Sequence, residues 1–277
     1  MTPERMAAQE EYIKAELDGL FDAHEGDAPK FLCMLKLYLD ESIDDGTGMC
    51  VVAGFLGTKR QWSDYLKAWP ETLKPRKSIH VSDLRLGWRG APRRYGSLLA
   101  SLGEIPAKCR LRAFSSSICR KDYADRISGT ALELLMEQGY VQSILALMDE
   151  LVKNIHPNER VEVVFEAQEI HAILRERAMI LWHKLHRTTS GWSVLAKWSS
   201  MPKCTLTEAP DYLCYAMQQS YLDPGSQKAS LTTPILKHGV ITVRKNKEEI
   251  DAMLRRVALS YKNPKLTPEI RNKSRSR

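Results

Sequence analysis

Two runs of β-forming residues, Met34–Leu39 (MLKLYL) and Cys50–Leu56 (CVVAGFL), decide the fold that this sequence predicts. The turn-forming residues between them, at Asp44–Gly48, predict that the two runs pair as an antiparallel hairpin. A third run, Cys109–Ser115 (CRLRAFS), is expected to extend the hairpin into a three-stranded meander.

Helices and strands alternate in the second half of the chain. The run Val161–Phe165 (VEVVF) is nearly all apolar, which is typical of a strand buried on both faces. Around it, the pattern predicts a helix at about 128–154, a helix at 169–187, a short strand at Lys203–Thr207 and a helix at 210–221. The order β-β-β-α-β-α-β-α predicts a mixed sheet with helices on both faces. A right-handed crossover through the 128–154 helix would make Met34–Leu39 central, antiparallel to Cys50–Leu56 and parallel to Val161–Phe165.

Three parts are expected along the chain: an acidic N-terminal helix within residues 1–30, an α/β domain at 31–246, and a C-terminal helix with a basic tail at 247–277. A helical insertion at about 57–108 interrupts the domain between its second and third strands. Further expected elements are helices at 3–23, 60–72, 92–102 and 247–261, and a strand at Gly239–Val243 within an irregular stretch, 222–246.

The formal charge of +7 is unevenly distributed. Residues 1–30 carry eight acids and three bases, so the remainder of the chain is more basic than the total suggests. Such an excess favours a polyanionic partner, because cations near a phosphate backbone release its counterions. The apolar face of the N-terminal helix, at Ile13, Leu17, Leu20 and Phe21, is expected to pack on this chain or on a second copy in a homo-oligomer.

Localisation is predicted to be cytoplasmic, without a membrane partner. No apolar run approaches the roughly 18–20 residues that span a bilayer, and the first residues lack the basic-then-apolar order of a signal peptide. The six cysteines form no CxxC pair, which argues against a structural zinc site, and most lie in apolar stretches, where a free cysteine behaves as a small buried hydrophobe.

Carboxylates fall where the predicted core strands end. Asp40 and Glu41 follow the first strand, Glu166 and Glu169 follow the buried strand, and Asp211 opens a helix behind Pro210. A carboxylate at such a position is costly to bury unless it meets a cation or hydrogen-bond donors. Hard oxygen ligands suit Mg²⁺ or Mn²⁺, and such ions can activate water for displacement at phosphorus. The alternative is structural, because strand-end acids often cap turns, and Asp211 would suit a helix N-terminus.

Short motifs resemble the family called domain of unknown function 3800. They are YLDES ending at Ser42, followed by VVAGF at 51–55, then His80-Val81-Ser82-Asp83-Leu84, Phe165-Glu166, and Pro210-Asp211-Tyr212-Leu213. The landmarks run from about residue 34 to 217. The resemblance implies a ribonuclease H-like fold and a metal-dependent nuclease-type site, but it implies no known substrate. The sequence departs from the family pattern at Ile43 (usually Gly), Glu166 (commonly Asp) and Pro210 (usually Ala), which bears on the metal geometry.

Carried over residue by residue, the resemblance makes Asp40 the central metal ligand, with Glu166 and Asp211 completing the set. Glu41, Asp83 and Glu169 are secondary candidates as outer ligands or orienting groups. His80 could shuttle a proton near neutral pH, or it could be a loop histidine with backbone partners.

A basic loop surrounds the same motif and predicts a nucleic-acid contact. Its cations are Lys74, Arg76, Lys77, Arg85, Arg89, Arg93 and Arg94. Trp88 among them could stack on a base or pack inward. The leading hypothesis is therefore a divalent-metal-dependent nuclease or phosphodiesterase. The alternative is a catalytically weak nucleic-acid-binding or assembly protein that retains the fold, or a toxin or defence component.

Overall fold

The computed structural model describes residues 33–80, 91–128, 139–156, 159–167, 169–186, 195–245 and 247–260. Within these ranges the chain forms one six-stranded mixed sheet with the strand order β5-β4-β1-β2-β3-β6. The strands are β1 Cys33–Asp44, β2 Met49–Thr58, β3 Arg112–Cys119, β4 Glu159–Glu166, β5 Leu195–Met201 and β6 Val240–Arg244. The predicted α/β class with a mixed sheet is confirmed.

The first strand is central, as the sequence predicted. β1 pairs antiparallel with β2 and parallel with β4, so the predicted hairpin and the predicted parallel neighbour are both confirmed. β3 extends the meander antiparallel to β2. β5 pairs parallel with β4 and β6 pairs parallel with β3.

Helices cover both faces of the sheet. They are α1 Lys59–Leu73, α2 Ala91–Lys108, α3 Ala124–Ile127, α4 Tyr140–Lys153, α5 Glu169–His186, α6 Thr205–Leu222, α7 Gln227–Thr232 and α8 Lys247–Ser260. Leu35, Leu37 and Leu39 of β1 belong to one core cluster with α4, α5 and α8. Tyr38, between Leu37 and Leu39, belongs to a second cluster with α1, α2 and α6. The alternation along β1 therefore separates two cores, one on each face.

Two predictions for the residues around position 205 were wrong. Lys203–Thr207 is not a strand, since β5 ends at Met201 and α6 begins at Thr205. The reason is a local cap that begins the helix. The backbone N–H of Cys204 donates to Thr207 Oγ1 at 3.2 Å, and the backbone N–H of Thr207 donates to the Cys204 carbonyl oxygen at 2.9 Å. Pro210 consequently lies inside α6, not before it.

Other element boundaries moved for identifiable reasons. β1 continues past Leu39 to Asp44, so Asp40 is within a paired strand and not at its end. α2 runs on to Lys108, which delays the third strand to Arg112. Within the described part of the predicted 128–154 helix, α4 begins only after Gly139, whose φ of 72° is left-handed. The stretch 222–246 also holds α7 and a 3₁₀ turn at Thr233–Leu236.

Gly54 of β2 brings its strand unusually close to β1. It pairs with Leu39, and a Cβ at Gly54 would lie 1.8 Å from the carbonyl oxygen of Tyr38. Only glycine fits this approach, because any side chain would collide with the backbone of β1. The contacted residue, Tyr38, lies two positions before Asp40 on β1.

Residues 3–23, for which a helix is predicted, and the basic tail lie outside the described residues. Across the described ranges, none of the helices has both the length and the apolar character needed to cross a membrane.

Candidate functional site

Asp40, Glu166 and Asp211 come from three elements and meet at one face of the sheet. Tyr38 and Val164, two residues before Asp40 and Glu166, belong to the core beneath α6. Because side chains alternate along a strand, Asp40 and Glu166 point to this same face. Asp211 reaches it from the second turn of α6. All three residues are buried, with exposures of 3%, 7% and 7% respectively.

Their proximity is visible in the electrostatics of Asp40. Burial raises the pKa of the Asp40 carboxyl well above its ordinary value, and the negative charges of Asp211, Glu41 and Glu166 raise it further. Like charges held close cannot all ionise freely in a low-dielectric setting. The arrangement therefore calls for a proton or a cation.

Two carboxylate oxygens in this group have no hydrogen-bond partner among the residues that the structure describes. Asp40 Oδ1 and Glu166 Oε2 are both fully buried and both unsatisfied. Nearby donors reach the backbone of the same residues: Arg175 Nη1 donates to the Glu166 carbonyl oxygen, and Cys214 Sγ donates to the Asp40 carbonyl oxygen at 2.9 Å. A buried acceptor without a partner is unusual and costly, so each such atom points to a missing ligand or water.

The described residues contain no group of three or more His, Cys, Asp or Glu side chains already arranged to hold a metal ion. The donor chemistry nevertheless fits a hard divalent cation, because the two unsatisfied atoms are carboxylate oxygens.

Asp211 already has a histidine and a lysine as neighbours within the chain. His80 Nδ1 lies 2.6 Å from Asp211 Oδ2, and Lys203 Nζ lies 3.4 Å from the same oxygen. Lys203 also contacts the His80 ring. The predicted site residue His80 therefore does reach the carboxylates, whereas Asp83 lies outside the described residues.

Glu41 belongs to the opposite face of the sheet. Its Oε1 lies 2.9 Å from His171 Nδ1, and its Oε2 accepts from the Tyr140 hydroxyl at 3.2 Å. Both oxygens are thus engaged, which fits an orienting or structural role better than metal ligation. Glu169 begins α5, and its side chain lies outside what the structure describes.

Glu208 is a buried acid at the site that the sequence interpretation missed. It precedes Asp211 by three residues on α6, and its Oε2 accepts from Trp69 Nε1 at 2.5 Å. Burial raises the pKa of Glu208 to about 7, although the Trp69 hydrogen bond and Lys203 oppose the rise. The i, i+3 spacing would have placed Glu208 beside Asp211 had the helix been predicted to begin at Thr205.

This pKa predicts a pH dependence of stability. Between about pH 4.5 and 7 the folded protein keeps the Glu208 proton that the unfolded chain has lost, so stability falls as the pH rises through this window. Above pH 7 the resulting loss of unfolding free energy reaches about 3 kcal/mol. Glu208→Gln should keep the Trp69 hydrogen bond, flatten the profile and raise stability at pH 8. Urea unfolding at pH 4.5, 6 and 8 measures this, with exposed Glu248→Gln as control. If the stability of Glu208→Gln fell with rising pH as steeply as that of the wild type, the pH dependence could not be assigned to Glu208.

Only part of the predicted basic loop can be placed. Lys74 pairs with Glu71 at 2.7 Å, and the Arg76 guanidinium lies 4.6 Å from the centre of the Tyr95 ring. Residues 81–90, which include Arg85, Trp88 and Arg89, lie outside the described residues, as do the side chains of Arg93 and Arg94. The nucleic-acid contact at this loop stays a prediction.

Comparison of the chain with protein-family models, with curated proteins and with solved structures found no match.

Proposed function

We propose that this protein is a divalent-metal-dependent phosphodiesterase or nuclease acting on nucleic acid. The observation that carries the proposal is the pair of buried, unsatisfied carboxylate oxygens, Asp40 Oδ1 and Glu166 Oε2, on one face of the sheet. Three buried acids of this kind lose repulsion when they share a cation, and Mg²⁺ or Mn²⁺ prefers such oxygen donors.

We also propose a ribonuclease H-like fold and membership of the family that the sequence motifs resemble. Three features support this: the β-hairpin and meander at the start, the central β1 flanked by antiparallel β2 and parallel β4, and the further parallel strand β5. In this interpretation β6 is an addition at the edge beside β3.

Each residue at the site has a distinct expected role. Asp40, Glu166 and Asp211 would hold the cation, which when bound would supply an activated water and offset negative charge at phosphorus. His80, in contact with Asp211, can exchange a proton with solvent because its side chain is 41% exposed. Lys203, which is 35% exposed beside it, can attract a phosphate to the mouth of the site.

One observation favours the second candidate, a nucleic-acid-binding protein with little or no catalysis. Lys203 already supplies Asp211 with a positive charge at 3.4 Å, so this carboxylate is partly neutralised without a metal. A binding protein would use the basic surface and would need no cation to offset the neighbouring charges that raise the pKa of Asp40.

Metal binding and cleavage distinguish the two candidates. The wild-type protein would be titrated calorimetrically with Mn²⁺ and incubated with single- and double-stranded RNA and DNA, with Mg²⁺, Mn²⁺ or EDTA. The nuclease proposal expects Mn²⁺ binding and cleavage that EDTA stops. Glu166→Gln should weaken both, whereas Glu176→Gln, an exposed change on α5, should leave both intact. Nucleic-acid binding without metal uptake or cleavage would favour the second candidate.

A further inference from the structure

A cavity of about 310 Å³ lies away from the carboxylates, between β2, β3, the end of α2 and the turn before β6. Phe55, Leu111, Ala113 and Ile235 contribute the apolar part of a lining that is polar and apolar in similar measure. None of Asp40, Glu166 and Asp211 lines it. Its volume is at the lower end of the range for small-molecule sites, which are mostly apolar with a few polar groups.

The mouth of this cavity is basic. Arg110 and His238 also line the cavity, and both are exposed. Lys108 and Lys237, close to them along the chain, are exposed as well. The acid beside them, Glu104, is engaged with His238 Nε2 at 2.8 Å. A lining that combines apolar side chains with the Arg110 guanidinium suits a molecule that has an apolar body and an anionic group.

Arg110 occupies a backbone conformation that favours glycine. Its φ is 59°, in the left-handed region. It follows α2 in a Schellman turn, in which the N–H of Leu111 donates to the Pro106 carbonyl at 2.9 Å and the N–H of Arg110 donates to the Ala107 carbonyl at 2.8 Å. Glycine is the usual residue at this position because it lacks a Cβ.

An arginine at this position therefore lowers stability relative to glycine. Favourable interaction with the negative end of α2 does not explain it, because Lys108 in the last turn already provides that charge. A residue held in a strained conformation at the edge of a cavity points to a role for its side chain.

From the cavity, its basic rim and the conformation of Arg110, we propose that this cavity binds a small organic anion with a flat apolar body, and that Arg110 recognises the anionic group. The apolar ring would lie among Phe55, Leu111 and Ile235. The guanidinium would pair with a carboxylate, sulfonate or phosphate.

A matched pair of probes tests the charge requirement. Binding of 1-naphthaleneacetate and of its neutral amide, 1-naphthaleneacetamide, would be followed by chemical-shift changes in the labelled full-length protein. The acetate should bind at least about tenfold more tightly than the amide, the factor of one modest charge-assisted contact. Equal binding of the two probes, or no binding of either at millimolar concentration, would overturn the proposal.

Arg110→Gly separates function from stability because the two effects have opposite signs. The variant should lose the tenfold preference for the acetate while its Tm rises by about 2–4 °C through relief of the left-handed strain. Lys121→Gln removes one positive charge from an exposed position that does not line the cavity. It should change neither the preference for the acetate nor the Tm. A lower Tm for Arg110→Gly, or retained discrimination between the probes, would also overturn the proposal.

Discussion

Asp40→Asn is expected to lower metal-dependent phosphodiester cleavage by at least about 1000-fold while leaving the fold intact. The amide keeps the shape of the side chain but removes the charge that a shared cation requires. Cleavage rates at saturating Mn²⁺, with circular dichroism to verify the fold, measure this effect. Asp45→Asn makes the same chemical change at an exposed position in the β1–β2 turn and should leave the rate unchanged.

The same substitution has a second expected result in the absence of metal. Because burial and neighbouring charges raise the pKa of Asp40, the folded state holds a proton that the unfolded chain releases above its ordinary pKa. The wild-type protein therefore loses stability as the pH rises above that value, and Asp40→Asn should lose less. The gain in Tm over wild type should be larger at pH 8 than at pH 4. A variant that cleaves like wild type, or that gains equally at both pH values, would refute the role of Asp40.

Breaking the buried ion pair between Lys36 and Glu162 is expected to cost about 3–5 kcal/mol of unfolding free energy. Lys36 Nζ lies 3.3 Å from Glu162 Oε2, and the two side chains are only 3% and 5% exposed. They are opposite each other on β1 and β4, on the same face as Asp40 and Glu166. Lys36→Met or Glu162→Met leaves one charge buried without its ionic partner, which explains the large loss.

Replacing both partners should restore most of the stability. The double variant Lys36→Met/Glu162→Met buries two apolar chains of similar length, so its free energy of unfolding should lie within about 1 kcal/mol of wild type. Urea unfolding of the two single variants and the double variant gives the coupling energy. Lys153→Met at the exposed Lys153–Glu150 pair should cost less than about 1 kcal/mol. If the double variant lost as much unfolding free energy as the two single variants together, Lys36 and Glu162 would not be energetically coupled.

Local sequence was sufficient for the centre of the fold. The apolar runs of β1, β2 and β4 and the turn at Asp44–Gly48 predicted both the hairpin and the central position of β1. These strands are buried on both faces, so their hydrophobicity and their pairing agree. The outer strand β5 was missed because Leu195–Met201 (LAKWSSM) mixes polar and apolar residues, as an edge strand does.

The sequence placed the candidate residues of the central strands from local patterns, and it named Asp211 and His80 from a helix start and from motifs of the family resemblance. Asp40 and Glu166 could be placed together from the ends of two apolar runs. Lys203 and Glu208 could not, because their positions depend on the Cys204–Thr207 cap that begins α6 one and a half turns before Pro210. The Glu41–His171 contact was also hidden, since it joins residues 130 positions apart across the opposite face.

Gly54 has a consequence for any mutational scan of this protein. Every substitution there would place a Cβ against the Tyr38 carbonyl and push β2 away from β1 beside Asp40. In a selection for activity, substitutions of Gly54 should therefore be as rare among the surviving variants as substitutions of a catalytic carboxylate. This holds although Gly54 contributes no side chain to the site. Abundance measured in parallel would distinguish the two cases, because Gly54 variants should disappear from the folded pool whereas Asp40→Asn should remain in it.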